Sequence, residues 1–272
     1  MATRQKLILF FLVLMMGVIM FFPFYWMTVS SFRTNPEIFS TKINLIPRSL
    51  TIKNYYDLIT TTNFLRWIFN SLIVALSTTI LGLFFSTLAG FAFAKYEFWA
   101  KNIFLLLVFV MISVPRFVTI IPVFKIMSDL TLTNTYFALI LPFAVNPFAV
   151  FLMRQYIKTI PDDLLDSARI DGVNELQIVL HIIIPLIKPA LGAAGMFIFM
   201  MSWNDYLFPL IMMNDEKMML FTVGLASLKT LYIVEYGMIM AGSLLSTFPL
   251  IMGFLLLQKQ FIAGLTEGAI KQ

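Results

Sequence analysis

Four long stretches of this sequence contain no Asp, Glu, Lys or Arg, and they limit the possible folds more than any other feature. They cover residues 7–32, 67–94, 130–153 and 236–258, and each is 23 to 28 residues long. A bilayer core about 30 Å thick requires roughly 20 apolar helical residues. Because lipid cannot satisfy the open edges of a sheet, each stretch is predicted to cross a membrane as a helix.

Two further apolar regions are each interrupted by one charged residue. They are residues 102–115 and 117–124 around Arg116, and residues 189–204 and 206–214 around Asp205. Counting both gives six helices, so we predict an all-α, polytopic membrane protein with both termini on one side.

The first apolar stretch, residues 7–32, exceeds the roughly 7–15 apolar residues of a signal peptide, and no small-x-small cleavage site follows it, so we expect a retained helix.

Composition excludes several classes of function. Of the 272 residues, 60% are hydrophobic and 12% are charged, whereas soluble domains carry about 25% charged residues. With no Cys and one His, the chain has no zinc-thiolate site, thiol nucleophile or His cluster, and we expect no metal site and no bound cofactor. The net charge of +5 is spread between apolar stretches, which indicates charge flanking membrane helices and no nucleic-acid partner.

The connection at residues 154–188 encodes a short helix, a bend and a second helix. Pro161 suits a first helical position, because its missing N–H would be unpaired there anyway. Gly172 predicts a helix stop with left-handed backbone. Asn174 and Gln177 match the cap and third positions of the next helix.

The first of these two helices is amphipathic. Pro161, Leu164, Leu165 and Ala168 share its apolar face. Such a helix can lie on lipid, serve as a linker or dock in the groove of a partner. Its acidic residues outnumber its basic ones, which favours a protein partner over a lipid surface.

This connection resembles the cytoplasmic coupling loop of bacterial ABC importer permeases, whose pattern is Glu-Ala-Ala, three residues, Gly, and later Leu-Pro. Four further motifs along the chain are similar to the carbohydrate branch, maltose-type second transmembrane subunit. The matching segments here are Asp166-Ser167-Ala168 with Gly172 and Ile184-Pro185, then Arg66-Trp67 with Asn70-Ser71, Thr133-Asn134-Thr135, Trp203-Asn204-Asp205-Tyr206 and residues 264–271. Asp166 is one methylene shorter than the usual Glu, and Ser167 replaces an Ala.

The resemblance implies the type I importer permease fold in the bacterial inner membrane, with both termini cytoplasmic. It implies a first helix and extracytoplasmic loop at residues 1–66, a core at 67–259 and a cytoplasmic tail at 260–272. With this orientation, ten of the 19 Lys and Arg residues lie inside and nine lie elsewhere, so the distribution of basic residues alone does not decide the orientation.

The implied function is import of a sugar or oligosaccharide by alternating access, in a transport subunit that is not an enzyme. The sequence contains no Gly-x-x-x-x-Gly-Lys-Ser/Thr phosphate loop, so ATP and Mg would bind a separate, dimeric cytosolic ATPase. The other implied partners are a homologous second permease and an extracytoplasmic solute-binding protein.

The resemblance assigns ATPase coupling to Pro161, Leu164, Leu165, Asp166, Ser167, Ala168, Arg169, Asp171 and Gly172. Leu164, Leu165 and Ala168 would insert into a groove of the ATPase. Asp166 and Arg169 would fix the register of the helix in that groove.

Two weaker sets of candidates lie elsewhere. The substrate-pathway candidates are Arg116, Trp203, Asn204, Asp205 and Tyr206, for which helix packing is the alternative role. In this set an aromatic side chain could stack on a sugar face while its polar neighbours hold the hydroxyls. The candidates for contact with a binding protein are Met213, Asn214, Asp215 and Tyr232, for which an ordinary exposed loop is the alternative.

Three other functions stay open. A permease for glycerol-3-phosphate or a polyol is one, although phosphate would favour extra buried cations and only Arg116 qualifies. A lipid-modifying enzyme would need clustered acid, base or metal ligands at one membrane depth. A gradient-driven secondary transporter would have two related halves, and no repeat is present.

Overall fold

The computed structural model describes residues 3–40, 44–229 and 234–267, with side chains over 5–40, 44–229 and 234–260. Those residues are helical or irregular, and an isolated bridge between Lys229 and Val234 is the one extended pairing among them. The predicted all-α fold is confirmed.

The helices are numbered along the chain. They are α1 (Thr3–Ser31), α2 (Asn35–Ile38), α3 (Lys53–Thr61), α4 (Phe64–Lys95), α5 (Lys101–Ser113), α6 (Ile120–Asp129), α7 (Tyr136–Ile140), α8 (Pro147–Lys158), α9 (Asp162–Ile170), α10 (Glu175–Ile178), α11 (Ile184–Leu186), α12 (Lys188–Trp203), α13 (Leu207–Met212), α14 (Phe221–Ser227) and α15 (Tyr236–Glu267). Because α15 continues through Glu267, the predicted tail at 260–272 begins as helix, and residues 268–272 lie outside the described part.

Three helical segments are long and apolar enough to cross a membrane singly, namely Gln5–Ser31, Phe64–Lys95 and Tyr236–Gln260. Three pairs of shorter segments meet the same test together but are bent. They are Lys101–Ser113 with Arg116–Asp129 (102°), Tyr136–Phe143 with Pro147–Lys158 (42°), and Glu175–Leu186 with Lys188–Trp203 (89°). By length and composition, the described residues therefore hold three spans, or six when each bent pair counts as one.

The prediction of one continuous helix over residues 130–153, the fourth of the six predicted spans, is wrong. Its helix breaks between Phe143 and Pro147, where Asn146 has extended backbone with φ −109° and ψ 115°. The ring of Pro147 disfavours helical backbone at the residue before it, which explains a break at this position.

The chain divides into two compact units. The first comprises Met1–Arg66 and Val223–Phe248, and the second comprises Trp67–Thr222 and Pro249–Gln272. The boundary predicted between residues 66 and 67 coincides with this division. Residues 223–248, which the prediction placed in the core domain, group instead with the first unit.

In the first unit, the connection after α1 folds back onto the end of that helix. Asn54 Nδ2 donates to the carbonyl oxygens of Ser31 at 2.8 Å and Arg33 at 2.7 Å. A helix end leaves such carbonyls without intrahelical partners, so Asn54 satisfies them. Asn35 Nδ2 also donates to Glu235 Oε2 at 2.6 Å, which ties this connection to the segment that leads into α15.

In the second unit, a glycine brings two helices into close contact. A Cβ added to Gly90 of α4 would lie 2.7 Å from Met153 Cβ and 2.9 Å from the backbone nitrogen of Arg154 in α8. Small residues allow helices in membranes to approach in this way. Met153 belongs to a buried cluster that also includes Leu165 of α9 and Ile183, so the short helices after α8 pack on the same core.

Candidate coupling and transport sites

The loop after α8 forms the helix, bend and second helix that the sequence predicts. Pro161 is the residue that precedes α9, one position before the first helical position predicted for it. Gly172 has φ +79°, in the left-handed region, and its N–H donates to Arg169 O at 3.0 Å. Asn174 Oδ1 accepts the Gln177 N–H at 2.9 Å, and Gln177 Oε1 accepts the Asn174 N–H at 3.1 Å, so the predicted capping box is present.

An ion-pair network braces this bend. Arg169 Nη1 lies 2.7 Å from Asp166 Oδ1, and its Nε lies 2.9 Å from Glu175 Oε1 across the bend. The hydrogen bonds to Glu175 and then to Asp166 raise the pKa of Arg169 above its ordinary value, so the guanidinium stays charged. Arg169 and Asp166 thus stabilise the loop itself, and their predicted register role against an ATPase stays a prediction.

Lys95 ties the start of α9 to the end of α4. Its Nζ lies 2.6 Å from Asp162 Oδ1 and also donates to the carbonyl oxygen of Ile160. The Lys95 side chain is 6% exposed, whereas that of Asp162 is 74% exposed. The carboxylate is therefore well solvated, and the contact fixes the geometry of the helix start more than it adds stability.

The apolar face of α9 is divided between the core and the surface. Leu165 is 1% exposed and Ala168 is 8% exposed, because other helices of the same chain cover them. In this structure both side chains pack against their own chain, and their predicted insertion into a groove of the ATPase stays a prediction. Leu164, at 44%, and Ile170, at 87%, are the exposed apolar side chains of α9. The other predicted coupling residues except Arg169 are exposed, namely Pro161, Asp166, Ser167, Asp171 and Gly172.

Two substrate-pathway candidates, Arg116 and Asp205, meet at the break in one bent span and just beyond the end of another. Arg116 begins the turn between α5 and α6, and Asp205 lies between α12 and α13. Arg116 Nη2 is 3.2 Å from Asp205 Oδ2, and the side chains are 31% and 15% exposed. The guanidinium carbon lies 4.0 Å from the centroid of the Phe143 ring. A charge at membrane depth is costly unless it is paired, and this pair meets that requirement.

Two cavities flank this ion pair, and Arg116 and Met201 line both. One cavity, of about 440 Å³, carries hydroxyl and amide side chains on an otherwise largely apolar wall: Thr78, Thr119, Asn146 and Ser202. The other, of about 420 Å³, is lined by the predicted residues Asn204, Asp205 and Tyr206. The structure thus brings four of the five substrate-pathway candidates together at one place.

The fifth candidate, Trp203, is not accessible. Its side chain is 1% exposed and packs against the rings of Phe199, at 5.7 Å between centroids, and Phe221, at 4.8 Å. In this structure Trp203 therefore packs against aromatic rings of its own chain, and its stacking on a sugar stays a prediction. The sequence places an aromatic residue next to polar ones but does not show which of them faces a cavity.

Two residues to which sequence analysis gave no role, Trp67 and Asn70, hold the segment before α14. Trp67 Nε1 donates to Glu216 O at 3.1 Å. Asn70 Nδ2 donates to the carbonyl oxygens of Lys217 and Met219, each at 2.9 Å. Their place in one of the family motifs was the available signal, although the segment that Trp67 contacts lies 149 positions away along the chain.

Asn134 holds the neighbouring turn. Its Oδ1 accepts the N–H groups of Asn214 at 3.1 Å and Asp215 at 3.0 Å. Both of these residues are exposed, as contact with a binding protein requires. Met213 is 3% exposed, so a contact through its side chain is not met here, and Tyr232 lies outside the described residues.

Bent apolar spans beside cavities that carry a few polar side chains, joined to a structured loop with an exposed helix, suit a membrane transport component. A family model described as "Binding-protein-dependent transport system inner membrane component" matches residues 82–264. The chain belongs to this family and is a multi-pass, inner-membrane permease of an ABC importer.

Individual proteins support the same assignment. The chain is 40% identical over 271 residues to the arabinooligosaccharides transport system permease protein AraQ of Bacillus subtilis (strain 168), covering 98% of this chain and 96% of that protein. It is 32% identical over 250 residues to the lactose transport system permease protein LacG of Rhizobium radiobacter, covering 92% and 90%. A solved bacterial ABC transporter involved in import of the acidic polysaccharide alginate has a TM-score of 0.83 at 22% identity, covering 95% and 96%, and supports the fold.

Proposed function

We propose that this chain carries a sugar or oligosaccharide through the membrane by alternating access and performs no covalent chemistry. The observation that carries the proposal is its 40% identity, over 98% of the chain, to a permease named for arabinooligosaccharides. The cavities add physical support, since hydroxyl and amide groups beside the Phe143 ring suit the hydroxyls and apolar faces of a sugar. A permease for glycerol-3-phosphate or a polyol is the alternative within the same class.

Uptake by the complete importer in liposomes tests the proposal. We expect ATP-dependent accumulation of arabinotriose that persists when ionophores remove proton and sodium gradients. A polyol and glycerol-3-phosphate, offered separately, test the alternative substrates. Uptake that requires a gradient but no ATPase would overturn the proposed mechanism, and accumulation of glycerol-3-phosphate alone would favour the alternative.

We further propose that residues 154–188 transmit the movement of a separate, dimeric cytosolic ATPase, which would hold the ATP and Mg. The exposed side chains of α9, with Leu164 as the apolar contact and Asp166 and Ser167 beside it, would meet the ATPase. Leu165, buried in the core, and Lys95, joined to Asp162, would pass the displacement of α9 to the spans.

The proposed assembly includes a homologous second permease and an extracytoplasmic solute-binding protein. The apolar window of α1 is 0% buried within the chain, so lipid or another subunit has to cover it. Asn214 and Asp215, held outward by Asn134, are the proposed contacts for the binding protein.

In this assembly the coupling loop and both termini would be cytoplasmic. The absence of Cys makes single-cysteine labelling a clean test. We expect Asp215→Cys to react with an impermeant maleimide in intact spheroplasts, and Leu164→Cys to react only after permeabilisation. The reverse pattern would overturn the orientation and, with it, the coupling role.

A further inference from the structure

We propose that the Arg116–Asp205 ion pair is a charge filter that makes the two cavities select neutral saccharides over anionic ones. This inference rests on the proposed sugar import and extends it by naming the substrate class and the residues that set it. Both residues reach the same cavity, so a ligand there meets a cation and an anion side by side.

The two charges that line the smaller cavity cancel. Of the described residues that line either cavity, Arg116 and Asp205 are the only charged ones. Arg116 lines both cavities, and Asp205 lines one of them at 3.2 Å from the guanidinium. A neutral saccharide in the smaller cavity therefore meets no net charge in the described lining. In the larger cavity an anionic saccharide meets Arg116, whose charge Asp205 offsets from 3.2 Å away.

The pair is also held in place by its surroundings. The Arg116 guanidinium lies over Phe143 at 4.0 Å and Phe208 at 5.6 Å, and these two rings pack edge to face at 4.8 Å. Asp205 Oδ1 accepts the Phe208 N–H at 3.4 Å. To bind Arg116, an anion would have to displace Asp205 from these contacts or lie beside the negative charge of Asp205.

A sugar needs no such displacement. The guanidinium offers several N–H donors and the carboxylate offers several acceptor sites, so both retain capacity after one mutual contact. Neighbouring hydroxyls of one sugar can accept from Arg116 and donate to Asp205 together. The fixed pair thus complements a polyhydroxyl ligand and disfavours a carboxylate or phosphate.

The test measures direct ligand binding to the purified complex of permeases and ATPase, without the binding protein, whose own selectivity would mask the effect. The probes are arabinotriose, which is neutral, and trigalacturonate, which is anionic. Wild type should prefer arabinotriose. Asp205→Asn leaves the cation unpaired and should shift the ratio of dissociation constants toward trigalacturonate by about tenfold or more, which is about 1.4 kcal/mol.

Three further variants make the result specific. Arg116→Gln leaves the Asp205 carboxylate without its cation and should bind trigalacturonate more weakly than wild type does. The double variant Arg116→Gln/Asp205→Asn is neutral and should restore the wild-type preference, which misfolding would not do. Asp129→Asn is the matched control, because the exposed Lys125–Asp129 pair, at 3.3 Å, lines neither cavity, and its ratio should equal that of wild type.

Three results would overturn the filter: an unchanged ratio in Asp205→Asn, a wild type that prefers trigalacturonate, or no binding of either probe to any variant. ATP-driven uptake of arabinotriose by the wild-type importer tests the proposed function separately. If the wild-type importer takes up arabinotriose but Asp205→Asn leaves the ratio of dissociation constants unchanged, only the filter is refuted. If Asp205→Asn shifts that ratio but the wild-type importer shows no uptake, only the import function is refuted.

Discussion

Substitutions at Gly172 test the bend between α9 and α10, because the structure separates backbone strain from crowding there. Gly172 has φ +79°, and an added Cβ would lie more than 4 Å from every atom of the described residues outside its immediate neighbours. A side chain therefore adds the strain of a left-handed backbone and little else. We expect the bend to be destabilised increasingly in the order Gly172→Asn, Gly172→Ala, Gly172→Val, because Asn tolerates this region and β-branched residues do not.

The size of the effect follows from the backbone. Left-handed helical backbone costs an ordinary L-residue roughly 1–2 kcal/mol. A change of this size shifts an equilibrium by a factor of about 5 to 30. The hydrogen bonds from Gly172 N–H to Arg169 O and from Val173 N–H to Ala168 O, both 3.0 Å, close the bend. Gly172→Ala should open them more often by that factor, and Gly172→Asn by less.

Hydrogen exchange in the complete importer measures this opening. The Val173 amide exchanges when its bond to Ala168 O breaks, so its protection should fall by the same factor. Binding-protein-stimulated ATP hydrolysis should fall in the same order, because the proposed coupling depends on the bend. Gly172→Pro, which also removes the N–H donor, should be the most severe variant.

The matched control is Gly17→Ala. A Cβ at Gly17 also lies more than 4 Å from the described atoms around it, but this glycine sits within α1 and lacks a positive φ. It should leave exchange of the loop unchanged. Wild-type protection in Gly172→Val, or a larger loss in Gly172→Asn than in Gly172→Val, would refute the strain argument. Lost protection with full ATPase stimulation would leave the strain argument intact and refute the coupling role.

Other predictions concern packing and docking. Gly90→Leu should cost about 1–3 kcal/mol through overpacking, measured as a lower melting temperature of the solubilised importer, since its Cβ would lie 2.7 Å from Met153 Cβ. Leu165→Ala, at a buried site, should cost about 2–5 kcal/mol in the same assay. Leu164→Ala should preserve the melting temperature but reduce co-purification of the ATPase, and an equal loss of stability in both leucine variants would contradict the division of the α9 face. Asn134→Ala leaves two backbone N–H groups without their acceptor, which costs about 1–3 kcal/mol for a buried donor and less for these exposed residues. Hydrogen exchange of residues 214–219 should therefore become faster. Unchanged exchange there would contradict the proposal that Asn134 holds this turn.

The bend was predictable from sequence because its signals are local. Gly172 after an amphipathic helix, followed two residues later by Asn174 with its partner Gln177, specifies the end of one helix and the start of the next within six residues. The break in the fourth span also had a local signal, since Pro142 and the Asn146-Pro147 pair lie inside residues 130–153. A search for charge-free stretches cannot detect it, because proline interrupts a helix without adding charge.

Other features were beyond local rules. Arg116 and Asp205 are 89 positions apart, and no spacing rule pairs residues at that distance. Periodicity identified the apolar face of α9 but not the protein that covers it. Leu165 is buried by its own chain and Leu164 is exposed, although both satisfy the same spacing.

This division of the α9 face changes how force can pass through the loop. A helix attached by an exposed surface alone could move without the spans, but Leu165 lies in the same buried cluster as Met153 of α8 and Ala190 of α12. Lys95 adds a second link, from α9 to the end of α4. A pull on α9 therefore has to displace several spans together. Two of the bent spans break beside Arg116, before it and at Val145-Asn146. In the proposed coupling role the packed corner of α4, α8, α9 and α12 would move as one body, and the broken segments would change angle.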